Sequence, residues 1–246
     1  MLSGLIFILY SALSLFKPTK KSLHFMKHSS VSDFRESMKV LLKYGVPRVP
    51  GEFVLFAYNL VPLSICAHKF GLVETSYLSA SITINNLITP FFSFAGIVLL
   101  PIASKVSVNK KYDDLSEKVK NLGIIYLFVG VLGVVFVNIF GTSLIKIVLS
   151  ESYLSALNII RIMVLSVIPY SIYLLLRNPI DGLSIFPYNT ISLSITFAIT
   201  CIMMFLSSSI LQCVWAFFFG YVILACLSFF FWKLVKNEDK NKQDRD

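Results

Sequence analysis

The chain has 246 residues, of which 56% are hydrophobic and only 14% charged, and its mean hydropathy is +0.77. An ordinary globular chain carries about a quarter charged residues, so this composition excludes a disordered protein and argues against a soluble enzyme. The formal charge of +9 would suggest nucleic acid in a soluble protein. In a hydrophobic chain the same excess marks loops held on the cytoplasmic side of a membrane.

A stretch of about 20 apolar residues spans a bilayer as a helix. The chain opens on a short apolar segment, residues 1–16. Its reach of about 24 Å falls short of a ~30 Å hydrocarbon core. It has no basic n-region and no A-x-A site, so it reads as the end of a longer helix that begins upstream rather than as a signal peptide. A basic linker follows over 17–49. Within it Val31, Phe34, Met38, Leu41 and Leu42 recur at helical spacing, which predicts an amphipathic helix over 31–44. Arg35, Lys39 and Lys43 form a basic stripe on that helix. Ser30 suits its N-cap and Gly45 its stop. Such a helix lies in the inner-leaflet interface or packs on protein.

Six full spans then follow, near 53–68 (best drawn as 50–70), 77–103, 122–145, 158–176, 188–206 and 210–232, with a charged tail over 233–246. The expected fold is therefore an all-α polytopic bundle of about seven spans. When the connections are assigned to alternating sides, 19 of the 22 Lys and Arg fall on one side. The positive-inside rule places that side, with the C-terminus, in the cytoplasm.

Chemistry-bearing motifs are scarce. Cys66, Cys201, Cys213 and Cys226 read as small packing residues, and His24, His28 and His68 are scattered. No phosphate loop, zinc motif or nucleophile elbow occurs. No catalytic residue, metal site or cofactor is expected, and the chain does not read as an enzyme. Polar features inside spans carry more information. Pro62, Pro90 and Pro169 sit near the middle of three spans and are hinge or kink candidates. Ser79, Thr83, Asn86 and Pro90 share one face of the second full span, and Tyr58 with Asn59 gives the preceding span a similar patch. These residues line a cavity or join helices by hydrogen bonds. Ionisable residues near the hydrocarbon are the sharpest markers: Arg48, Glu52, Arg161, Arg177 and Asp181. Arg48 and Glu52 are four apart, as are Arg177 and Asp181, so each pair is expected to share a face. Snorkelling to the interface is the alternative role.

The run KYGVPRVPG (Lys43 to Gly51), following an amphipathic helix, resembles the opening of the second lobe of oligosaccharide-lipid flippases. These form the O-antigen and capsule branch of the multidrug/oligosaccharidyl-lipid/polysaccharide exporter superfamily. LLPIAS (Leu99 to Ser104), LRNPIDG (Leu176 to Gly182) and PYNT (Pro187 to Thr190) resemble further stretches of that lobe in the same order. Members carry two such bundles around a central cavity, whereas this chain resembles the last helix of the first bundle plus the complete second one, a C-terminal fragment. The resemblance implies a protein of the bacterial cytoplasmic (inner) membrane. It implies alternating-access translocation of polyprenyl-diphosphate-linked oligosaccharide for surface polysaccharide synthesis. Arg48, Arg161 and Arg177, with Asn86, Tyr58 and Asn59, are then candidates for substrate contact. Glu52 and Asp181 are candidates for ion coupling or for holding the arginines. Implied partners are lipid-linked oligosaccharide, membrane lipids, polysaccharide polymerase or glycosyltransferases, and a separate N-terminal half, with no nucleic acid. Alternatives are a multidrug or cation extruder of the same superfamily and a non-transporting membrane fragment or scaffold.

Overall fold

The structure is a computed structural model and describes residues 31–109 and 112–243. The short opening segment, most of the basic stretch from Lys17, and the Ser30 cap lie outside the described residues. Among the described residues all regular structure is helical. Five helical stretches are long and apolar enough to cross a membrane.

The chain divides into a unit that ends at Val46 and a second that begins at Pro47. The described part of the first is helix α1, Val31–Gly45. Its apolar residues Phe34, Met38, Leu41 and Leu42 are all exposed, as are Arg35, Lys39 and Lys43. A single helix of this length cannot bury its own apolar face, so it needs a lipid or protein surface to lie on.

The second unit opens with a 3-10 turn, Val46–Arg48, whose last two residues belong to it, and continues into α2, Val49–Asn109. Gly71 interrupts α2 with φ 83° and ψ 178°, a backbone conformation that only glycine adopts without strain. The Asn86 side-chain amide Nδ2 donates to Asn59 Oδ1 at 3.4 Å across this break. The two arms, 49–70 and 72–109, therefore lie side by side as a helical hairpin. Elsewhere in α2 the backbone stays helical, including at Pro62 and Pro90. These two prolines bring no break, and the reversal rests on glycine instead.

Next come α3, Tyr112–Val148, a 3-10 segment Glu151–Ala156, α4, Leu157–Leu165, and α5, Val167–Leu183. The single span expected over 158–176 is thus two helices. Pro169 stands in the first turn of α5, and its missing N–H is the one that would have bonded the Leu165 carbonyl. The Ser166 hydroxyl closes the end of α4 by donating to Met163 O at 2.6 Å. Finally α6, Tyr188–Leu206, and α7, Ile210–Gln243, complete the unit.

The stretch Glu151–Leu183 forms the centre, with 67% of its apolar window buried, against 17% for the window in α3. α5 packs against α2, α7 and α3. Gly96 of α2 lets the backbones meet: a Cβ there would lie 2.7 Å from the Leu174 carbonyl oxygen. Large apolar side chains such as Phe128, Phe136 and Ile139 of α3 point outward. An apolar exterior of this extent suits hydrocarbon and not water. The buried threonine hydroxyls of α6 are satisfied within that helix: Thr196 donates to Ser192 O and Thr200 to Thr196 O, both at 2.8 Å. Connections sort to two ends. Arg48 meets the α5–α6 connection, Tyr188 stacks on Phe231, and Lys236 reaches Ser116 at one end. At the other, Lys69 caps α6 by donating to Ser207 O at 2.6 Å and to the Phe205 carbonyl.

Candidate functional site

Four of the five ionisable residues singled out from the sequence, Arg48, Glu52, Arg177 and Asp181, meet at the first of these ends. Arg48 Nε donates to Asp181 Oδ1 at 3.0 Å, and its other nitrogens donate to Ser184 O at 2.7 Å and Ile185 O at 3.3 Å. Arg177 pairs with Glu52. Each arginine therefore exchanges the acid four places away in its own segment for the one across the interface.

Local structure explains the exchange. Arg48 ends a 3-10 turn, so it does not share an α-helical register with Glu52. Gly51 is pressed onto α6, where a Cβ would lie 2.8 Å from Thr190 Oγ1. That contact packs the start of α2 onto the first turn of α6. Arg177 and Asp181 do share a face of α5, one turn apart. The first arm of α2 runs antiparallel to α5, so Arg48 faces Asp181 while Glu52 faces Arg177. The Asn189 amide of α6 donates to the Arg177 carbonyl at 2.8 Å and fixes the third helix at the same level.

The two pairs differ in access. The Arg48 and Asp181 side chains are 16% and 17% exposed, whereas Glu52 is 63% and Arg177 28% exposed. The first pair ties helices together, and the second borders the bundle surface. From Glu52 a polar stripe continues along the hairpin through Asn59, Thr83 and Asn86, all exposed. Asn59 lies about 10 Å further along the arm, two turns deeper. An exposed asparagine pair at membrane depth is costly against lipid tails and demands water or another polar surface. Asn85, by contrast, is buried, and its side-chain oxygen accepts no hydrogen bond.

Three further candidates take other places. Tyr58 is inside the bundle, 4% exposed, with its ring stacked on Tyr221 at 5.6 Å and its hydroxyl 3.4 Å from Thr200 Oγ1. It supports the stripe from behind. Arg161 lies in α4, sixteen residues before Arg177 and so about 24 Å away along the helix direction. It donates to Asn138 O at 3.1 Å, and its Nε has no acceptor. Pro169 marks the α4–α5 break described above.

Sequence reading did not find the aromatic cluster beneath the ion pairs. Tyr170 meets Tyr221 at 4.6 Å and stacks on Tyr173 at 5.8 Å. Tyrosines dispersed over α2, α5 and α7 carry no common spacing, so no one-dimensional pattern announces them. Cys66 and Cys213 are both fully buried, and the Cys213 thiol lies 4.0 Å from Met204 O. Among the described residues no group of His, Cys, Asp and Glu has the arrangement of a metal site. No protein-family model, curated protein or solved structure matches the chain.

Proposed function

We propose that the chain forms a transport lobe that moves polyprenyl-diphosphate-linked oligosaccharide across the bacterial inner membrane. On this reading the described helices cross six times, α2 counting twice, and residues 1–16 add a seventh crossing. The C-terminus lies in the cytoplasm. The observation that carries the proposal is the exposed polar stripe Glu52, Asn59, Thr83 and Asn86 on an otherwise apolar helical hairpin, with Arg177 beside its Glu52 end. A glycan's hydroxyls and two phosphates cannot enter hydrocarbon bare. The stripe supplies amide and hydroxyl partners at depth, while the prenyl tail stays among lipid chains.

Arg177 is the guanidinium placed for the diphosphate, since Arg binds phosphate bidentately. It is held ready by Glu52, which a diphosphate would displace from it. Arg48 keeps α2 against α5 through Asp181 and has a supporting role, and Arg161 stands too far from the others to share one headgroup with them. Movement of the lobe as a body would expose the stripe to each side in turn. In cells that depend on this protein for surface polysaccharide, Arg177→Ala abolishes export while the membrane level of the protein is unchanged. Normal export by that variant would remove Arg177 from the site.

A second reading has its own observation. Glu52 keeps 63% of its side chain exposed while it pairs with Arg177, and an accessible carboxylate suits a lipophilic cation. Cation efflux from vesicles that Glu52→Gln removes, with surface polysaccharide unaffected, would select a drug extruder. Neither activity in a folded protein would select the non-transporting scaffold.

A further inference from the structure

A cleft of about 480 Å³ opens on the outside of the bundle between α3, α5 and α7, away from the polar stripe. Its walls are apolar, formed by Leu127, Ile168, Ile172, Leu175, Phe229 and Trp232. Among the described residues its only charged lining groups are Lys120, Lys233 and Lys236. All three stand at one end of the cleft. Leu127 and Phe229 lie seven residues from Lys120 and Lys236, so the apolar part extends about 10 Å from the lysines toward the bundle centre.

The lysines are placed rather than scattered. Lys236 Nζ donates to Ser116 Oγ at 2.9 Å, which holds it at the rim. Lys233 sits over the Phe229 ring at 4.7 Å, and Lys120 is exposed. The nearby acid Asp114 is engaged by Lys118 at 3.2 Å, and neither Asp114 nor Glu117 lines the cleft. Three cations at the mouth of an apolar groove match a ligand with an anionic head and a hydrocarbon tail. Basic pockets between membrane helices near the cytoplasmic surface bind anionic lipid headgroups for this reason.

We infer that this cleft is a binding site for an anionic phospholipid, with the phosphate at Lys120, Lys233 and Lys236 and one acyl chain along Phe229 and Trp232. The inference does not depend on what the protein transports. The lysines lie in the chain segments that the positive-inside rule assigns to the cytoplasm, so the lipid belongs to the inner leaflet.

The chain has two tryptophans, and Trp232 lines the cleft. In a Trp215→Phe background its fluorescence reports the occupant. The protein is reconstituted in phosphatidylcholine vesicles doped with either brominated phosphatidylglycerol or brominated phosphatidylcholine. Quenching by the anionic lipid is expected at a lower mole fraction than quenching by the zwitterionic one. Each lysine changed to Gln should cost about fivefold of that preference. Lys120→Gln with Lys233→Gln and Lys236→Gln brings the two curves together and leaves the phosphatidylcholine curve where it was, which shows the cleft intact. Lys233→Gln alone, whose described contact is with a ring, gives the partial loss should the triple variant fold poorly. Equal quenching by both lipids in the unchanged protein overturns the inference. So does full preference retained in either variant, or no quenching by either lipid, the result expected if a second copy of the chain covers the cleft.

Discussion

Arg48→Ala and Asp181→Ala each destabilise the purified protein, Arg48→Ala by more. Both side chains are largely out of solvent, so removing one leaves its partner's charge poorly compensated. Breaking a buried pair costs about 3–5 kcal/mol, and the residual exposure here brings the expectation to about 2–4 kcal/mol. Arg48 donates to the Ser184 and Ile185 carbonyls at the end of α5 as well as to Asp181, and the loss of Asp181 leaves those two carbonyl contacts in place. Arg48→Lys should recover little, because an ammonium lacks the planar fork that reaches all three. Thermal unfolding of both single variants and of the double variant in detergent forms a cycle that isolates the pair. A coupling near zero would mean that the pair does not hold α2 to α5.

The second large effect is steric and has a built-in contrast. A Cβ at Gly96 would meet the Leu174 carbonyl oxygen at 2.7 Å and the Asn178 amide nitrogen at 3.0 Å. The first is backbone and cannot swing aside, so Gly96→Ala must separate α2 from α5. Overpacking of this kind costs about 1–3 kcal/mol. Gly133 of α3 has nothing within 4 Å of the same position. There alanine meets no clash and gains up to about 1 kcal/mol of helix propensity. The same substitution in two helices of one bundle is thus expected to have opposite signs. Matching signs in the unfolding temperatures would contradict the close approach of α2 and α5.

Much of the architecture is legible in the sequence because hydropathy over about 20 residues is a local quantity. The spans near 122–145, 188–206 and 210–232 fall within α3, α6 and α7 for that reason. Turn chemistry was less legible. Pro62 and Pro90 stand out as hinge or kink candidates, yet the backbone keeps helical dihedrals at both, while Gly71 makes the reversal. Pro169 does break its helix, since it falls where α4 ends at Ser166.

The site shows the same boundary between local and tertiary information. Arg48, Glu52, Arg177 and Asp181 stand out by charge in an apolar chain, and all four meet in the structure. Four-residue spacing shows which residues can share a face, but not which residue of another helix each one meets. What decides it is the antiparallel apposition of α5 and the first arm of α2, a tertiary arrangement that no spacing rule contains. Asn59 and Asn86 are separately visible as polar residues in spans, but their hydrogen bond depends on the fold at Gly71.

Translocation of a fluorescent polyprenyl-diphosphate oligosaccharide in proteoliposomes tests the central claim most directly. With the label bleached from outside, the unchanged chain should make the inner-leaflet pool accessible faster than in protein-free vesicles, and Arg177→Ala should return the rate to the protein-free value. A folded, reconstituted wild-type chain whose rate equals that of empty vesicles would contradict the account.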